Sequence, residues 1–151
     1  MPRNITISRN VSARRSAVWA VLADYPNIMD WNEGVQRSFA IGDQVDGVGA
    51  VRQCELTPAG VLVETVSEWT PEEKMVIAID EIRKMPINRA TMTFTLDDHG
   101  EQTGFSMSYD YEPKGGPFGF LVAAMLGRPL HRGFNGFIDN LERAAQGQPA
   151  G

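Results

Sequence analysis

At 151 residues the chain fits a single domain, 1–151, large enough to bury about 68–70% of the surface its unfolded form exposes without a disulfide or metal staple. Nineteen acidic against fourteen basic residues give a net charge of −5, and the cations are scattered rather than gathered in one stripe, which argues against nucleic acid as a partner. Cys54 has no partner within the chain, the amino terminus carries no basic segment followed by an apolar core, and the longest strongly apolar run, Phe118–Leu126, falls far below the roughly 20 residues of a bilayer span. The expectation is a cytoplasmic protein without stable membrane insertion.

Alternation predicts a first strand over Asn4–Val11, closed by Ser12 as the N-cap of a helix over Ala13–Ala23. Ala17, Val18, Val21 and Leu22 give that helix an apolar face, and Pro26 ends it by pushing Tyr25 toward extended geometry. Asn27–Trp31 reads as a short second helical turn. Six strands follow, at about 34–41, 48–57, 60–69, 74–83, 88–97 and 103–112. They are separated by turn chemistry at Gly42-Asp43, Asp46-Gly47, Pro58-Ala59-Gly60, Thr70-Pro71-Glu72-Glu73, Met85-Pro86 and Asp97-Asp98-His99-Gly100. Parity is clean in the last two strands, where Met92, Phe94 and Leu96, then Phe105, Met107, Tyr109 and Tyr111, mark the inner face. It is ambiguous at Val63–Val66 and Met75–Ile79, where a slip of one residue would reverse every orientation.

Gly115-Gly116-Pro117 then opens a long helix. Phe118, Leu121, Val122, Met125, Leu126, Leu130, Phe134, Phe137, Ile138, Leu141 and Ala145 recur at steps of three and four, one apolar stripe that only a sheet could cover. Pro129 predicts a kink near Arg128, and the tail Gln146–Gly151 should fray. The order of elements is an α+β layout: a curved antiparallel sheet of about seven strands wrapped around a long C-terminal helix, with two short helices after the first strand.

Three segments carry a family resemblance: Val11-Ser12-Ala13 leading to Val18-Trp19 and Asp24-Tyr25-Pro26; Val66-Ser67-Glu68-Trp69-Thr70-Pro71; and Tyr109-Asp110-Tyr111-Glu112-Pro113-Lys114-Gly115-Gly116-Pro117. On these the chain resembles the START-like (SRPBCC) helix-grip superfamily, in its polyketide cyclase/dehydrase-like branch. The resemblance implies a deep cavity between the C-terminal helix and the sheet, used across the superfamily for lipids, sterols, polyketides, hormones and other hydrophobic molecules. It brings no universal catalytic motif, and a fold of this kind does not fix function.

The chemistry-bearing residues offer no ready active site. Cys54 sits mid-strand between Gln53 and Glu55, away from the electropositive setting that a reactive thiol needs. His99 belongs to a hairpin tip and His131 to the helix surface, too isolated to build a metal centre, and no glycine-rich phosphate cradle is present; no cofactor is expected. Among the polar strand residues Arg37, Arg52, Gln53, Glu55, Glu64 and Arg89, each more often faces solvent than a pocket. Glu64 is the exception to watch, since an inward orientation would desolvate it and suit it to proton transfer.

For the cavity wall the candidates are Trp31, Met75, Met92, Phe94, Met107, Tyr109, Phe118, Val122, Met125 and Leu126, against the plainer reading that they simply fill the core. Converging methionines would suit a loosely specified apolar ligand. The leading expectation is binding of a small hydrophobic or aromatic molecule, such as a lipid or polyketide. Alternatives are a cyclase or aromatase-type enzyme using pocket Tyr and Glu groups without metal, and a protein-interaction module with a filled interior and an exposed apolar patch. A homodimer is compatible with all three.

Overall fold

The computed structural model describes residues 2–147. Seven strands form one antiparallel sheet: β1 (Arg3–Val11), β2 (Val35–Ala40), β3 (Val51–Leu56), β4 (Val61–Thr70), β5 (Lys74–Arg83), β6 (Ile87–His99) and β7 (Gln102–Pro113). Their spatial order is β1-β7-β6-β5-β4-β3-β2. Strands β2 to β7 are thus a meander of hairpins, while β1 closes back onto β7 with Arg3 opposite Tyr111 and Val11 opposite Thr103.

The connection between the two edge strands holds α1 (Arg15–Ala23) and a 3₁₀ segment over Tyr25–Asp30 with Pro26 in its first turn. Helix α1 begins two residues later than expected, because Arg14 rather than Ser12 occupies the N-cap position and no side chain caps it. Ser12 is instead held from the far end of the chain: its backbone N–H donates to Glu142 Oε2 at 2.7 Å, and Gln146 Nε2 donates to its carbonyl at 2.9 Å. Of the tail expected to fray, Gln146 and Gly147 are described and the remainder lies outside the described residues.

The long helix α2 (Gly119–Ala145) runs uninterrupted through Pro129. The chain enters it through Gly115, whose φ of 113° is costly for any residue with a Cβ, and a 3₁₀ turn over Gly116–Phe118. Ile138 and Leu141, fully buried, anchor the second half of α2 on the sheet, each contributing about 1.5–3 kcal/mol of apolar burial.

The ambiguous parity of the middle strands has a structural cause. Register shifts at Val63/Glu64 and Val66/Glu68 in the β4–β5 pairing break the two-residue period, so that Glu64, Val66 and then Trp69 all turn inward on one strand. Strand β5 keeps the period over Met75, Ile77 and Ile79, which lie inside, and breaks it at Asp80, the residue skipped by the Val63/Glu64 shift, so that Ile82 is the next to pack on the core. The segment 48–50, read as the start of a strand, belongs instead to the β2–β3 loop.

Candidate functional site

Two hairpin-paired strands place a charged pair on the concave face of the sheet. Arg52 on β3 lies directly opposite Glu64 on β4, and both are buried, at 5% and 7% exposure. Arg52 Nε donates to Glu64 Oε1 at 2.8 Å. Its Nη1 donates to the Tyr25 carbonyl at 2.8 Å, and the guanidinium lies 4.0 Å from the centre of the Tyr25 ring. The Tyr25 hydroxyl donates to the Glu64 carbonyl at 2.9 Å, and the Cys54 thiol donates to Glu64 Oε1 at 3.2 Å.

This cluster ties the 3₁₀ segment to the sheet through charge-assisted hydrogen bonds, the strong kind in a low-dielectric interior. Burial alone would lower the Arg52 pKa, but the neighbouring Glu64 carboxylate overrides it and the guanidinium stays charged. Burial also pushes the Cys54 thiol and the Tyr25 and Tyr109 phenols well above their ordinary values, each raised further by Glu64. Cys54 is therefore an unreactive thiol, and Tyr109 is a phenol held protonated by its burial.

Beside the pair lies a narrow crevice, enclosed by Val21, Leu22, Asp24 and Ile28 from α1 and the 3₁₀ segment, Trp31, Arg52, Met75, Phe94, and Phe137 of α2. It consists of gaps between packed side chains, none wide enough to centre a water molecule. Aromatic rings close it: Phe137 meets Trp31 edge-on at 5.1 Å and stacks on Phe94 at 5.3 Å. The Trp31 indole N–H is buried and has no hydrogen-bond partner among the described residues, although its ring lines this space.

The expected wall residues divide into three sets. Trp31, Met75 and Phe94 line the crevice, and Glu64 reaches it through Arg52. Met92, Met107 and Tyr109 are buried on the same face within the core, Tyr109 packing against Phe134 of α2 at 5.0 Å. Phe118 and Met125 do not join the wall: they are 65% and 74% exposed. The physical reason is that the inward stripe of α2 is narrower than its apolar sequence; Leu126, Leu130, Phe134 and Phe137 pack on the core, Val122 is half-buried, and Leu121 and Met125 fall on the outer side. No deep cavity of the kind expected is open between α2 and the sheet among the described residues; what lies there is the narrow crevice, too tight for a water molecule.

Arg52, Tyr25 and Phe137 are the site residues that the wall candidates missed. The signal for Arg52 was partial: the Pro58-Ala59-Gly60 turn shows that the two strands form a hairpin, but the pairing is centred on Pro58, which sets Arg52 opposite Glu64, and a centre one residue later would set it opposite Val66. Outside the crevice the strand charges pair on the surface, Arg37 with Glu55 at 3.3 Å and Arg89 with Glu112 at 3.0 Å. His99 Nδ1 lies 3.0 Å from Asn10 Oδ1 beside the β6–β7 turn, and no group of three potential metal ligands occurs among the described residues.

Comparison with known proteins agrees with this architecture. Residues 2–146 match the family model described as "Polyketide cyclase / dehydrase and lipid transport". An aromatase/cyclase, Zhui, from a Streptomyces species superposes with a TM-score of 0.81 at 13% identity, covering 97% of this chain and 94% of that one. A protein from Thermus thermophilus superposes at 0.80 with 15% identity and coverage of 96% and 98%. Norcoclaurine synthase from Thalictrum flavum, solved with dopamine and hydroxybenzaldehyde, superposes at 0.72 with 15% identity and coverage of 100% and 90%. At these identities the structures establish the helix-grip fold and nothing finer. No curated protein sequence matches the chain. With the family model matched over nearly its whole length and the seven-stranded sheet gripping α2, the chain belongs to the polyketide cyclase / dehydrase and lipid transport family.

Proposed function

We propose that the protein binds a small, largely apolar or aromatic molecule, lipids and polyketides included, in an expanded form of the crevice between α2 and the sheet. The observation that carries this reading is the unpartnered, buried N–H of Trp31, a residue that lines the same space as Arg52. A buried donor left unpaired costs about 1–3 kcal/mol, a cost that an acceptor oxygen on a bound molecule would remove. The ligand class is therefore an apolar body bearing at least one carbonyl, carboxylate or phenolic oxygen.

Entry requires the aromatic closure of Phe137 over Trp31 and Phe94 to open, since the crevice as packed admits nothing. Phe137 sits on α2 and Trp31 just after the 3₁₀ segment, so a rotamer change in one and a small shift of the other would enlarge the site without disturbing the sheet. The Arg52–Glu64 pair then serves as a fixed polar floor. The test is native mass spectrometry of freshly purified protein followed by extraction and identification of co-purified small molecules. An oxygen-bearing apolar compound supports the reading, and its conversion on incubation would place the protein among the cyclase-type enzymes. A protein that carries nothing and takes up no aromatic carboxylate probe contradicts it.

A further inference from the structure

The loops at the two ends of the sheet carry opposite charge. One end collects Asp43 and Asp46 of the β2–β3 loop, Glu72 and Glu73 between β4 and β5, and Asp97, Asp98 and Glu101 around the β6–β7 turn. The other end holds Thr57–Gly60, Lys84–Pro86 and Lys114–Pro117, none with a carboxylate, together with the turn that enters β2 beside Thr57, where Glu33 is the exposed acid. Arg83, Lys84 and Lys114 are exposed there.

Helix α2 starts from this second end. Between Glu112 and Asp139 the sequence has no acidic residue, while it has Lys114, Arg128 and Arg132. The salt bridges among the described residues use Arg9, Arg14, Arg15, Arg37, Arg52, Lys74 and Arg89, and none of the cations just named. A chain of net charge −5 therefore gathers cations free of salt bridges around one tip and along the first half of α2.

The same tip exposes large apolar side chains: Phe118, Phe120, Leu121 and Met125 are each more than half exposed. At 1.5 Å of rise per residue, Arg128 stands about 5 Å and Arg132 about 10 Å further along the axis than Met125. An apolar tip collared by cations at that depth matches the headgroup boundary of an anionic bilayer, where apolar side chains sit about 5–10 Å deep and each nearby Lys or Arg adds attraction. The acidic far end would be repelled, which orients the molecule tip-down.

We propose that this tip, from Lys114 to Arg132 with the Arg83-Lys84 turn beside it, is a docking surface for an anionic phospholipid membrane. It holds the protein peripherally, since no helix among the described residues is long and apolar enough to cross a bilayer. The proposal does not depend on what occupies the crevice.

The experiment is vesicle flotation at low salt with phosphatidylcholine alone and with phosphatidylcholine mixed with phosphatidylglycerol, using the full chain. Two double variants accompany it, Leu121→Ser with Met125→Ser and Arg128→Gln with Arg132→Gln, all at exposed positions and checked for unchanged circular dichroism. Binding to the anionic vesicles only, reversed by salt and weakened about tenfold or more by each double variant, supports the proposal. Absence of binding to anionic vesicles, equal binding to neutral ones, or binding indifferent to both variants overturns it. So does a dimer in sedimentation that the Leu121→Ser with Met125→Ser variant dissolves, which would assign the tip to a second copy of this chain.

Discussion

Arg52 and Glu64 stand opposite each other on adjacent strands, joined Nε to Oε1 at 2.8 Å, with neither side chain more than 9% exposed. Taking two charges out of water costs several kcal/mol each, so the pair is weak support for stability as such. Its geometry does more than hold the sheet: Arg52 also reaches the Tyr25 carbonyl, and the backbone carbonyl of Glu64 receives the Tyr25 hydroxyl. The pair therefore fixes the 3₁₀ segment that forms one wall of the crevice.

Removing one partner leaves an uncompensated buried charge. Glu64→Leu or Arg52→Met alone should destabilise the fold by about 3–5 kcal/mol in urea unfolding, whereas the double variant should recover much of that loss. The double variant should nevertheless lose binding of an oxygen-bearing aromatic probe, because the polar floor is gone. A loss in the double variant equal to the sum of the two single losses would show that the two side chains do not act as a pair.

Trp31→Phe removes the orphaned N–H and keeps an aromatic ring. In the ligand-free protein this change should be neutral or stabilising, by up to about 1 kcal/mol, because an unpaired buried donor disappears. Affinity for an acceptor-bearing ligand should fall about fivefold, the equivalent of one hydrogen bond. Thermal unfolding and a binding titration on the same preparations separate the two effects.

Much of this architecture was legible in the residues, and the parts that were not have identifiable causes. Turn chemistry at Pro58–Gly60 and Met85-Pro86 located the hairpins, and strict alternation over β6 and β7 oriented Phe94, Met107 and Tyr109 correctly. Parity failed on β4 because register shifts are set by the pairing between strands and leave no mark in a period-two pattern. The apolar stripe of α2 was overread for a related reason: periodicity shows which residues share a side of a helix, but not how wide a strip the sheet covers, so Phe118 and Met125 were placed in a wall when they face outward. Ser12 looked like an N-cap by residue type, while contacts from Glu142 and Gln146, more than a hundred residues away, decided its role.

Phe137→Ala should open the crevice. The ring packs against both Trp31 and Phe94, so its loss should cost about 3–5 kcal/mol and leave an apolar void. Uptake of a small aromatic probe should rise relative to the parent protein, measured by quenching of tryptophan fluorescence. A void that collapses, with unchanged probe uptake, would show that Phe137 is structural only.

Stability should fall at alkaline pH. Burial holds the protons on Cys54, Tyr25 and Tyr109 in the folded state, whereas the unfolded chain releases them from about pH 8.5 for the thiol and about pH 10 for the phenols. The folded state then binds more protons than the unfolded one, so the contribution of these groups is complete below pH 8.5 and shrinks as pH rises, by up to about 1.4 kcal/mol per group and pH unit. Urea unfolding across that range checks the slope. In the native protein at neutral pH, Cys54 should react with a thiol reagent only as fast as the fold opens.

Whether the crevice beneath α2 is the ligand site is decided by following the Trp31 indole N–H in a proton–nitrogen correlation spectrum during titration with a naphthoic acid probe. A saturable shift of that signal is expected, accompanied by the Arg52 side-chain N–H and the amides around Phe137. Saturable binding that leaves Trp31 and Arg52 unmoved and shifts only the exposed segment from Phe118 through the first turns of α2 to Met125 would contradict that assignment.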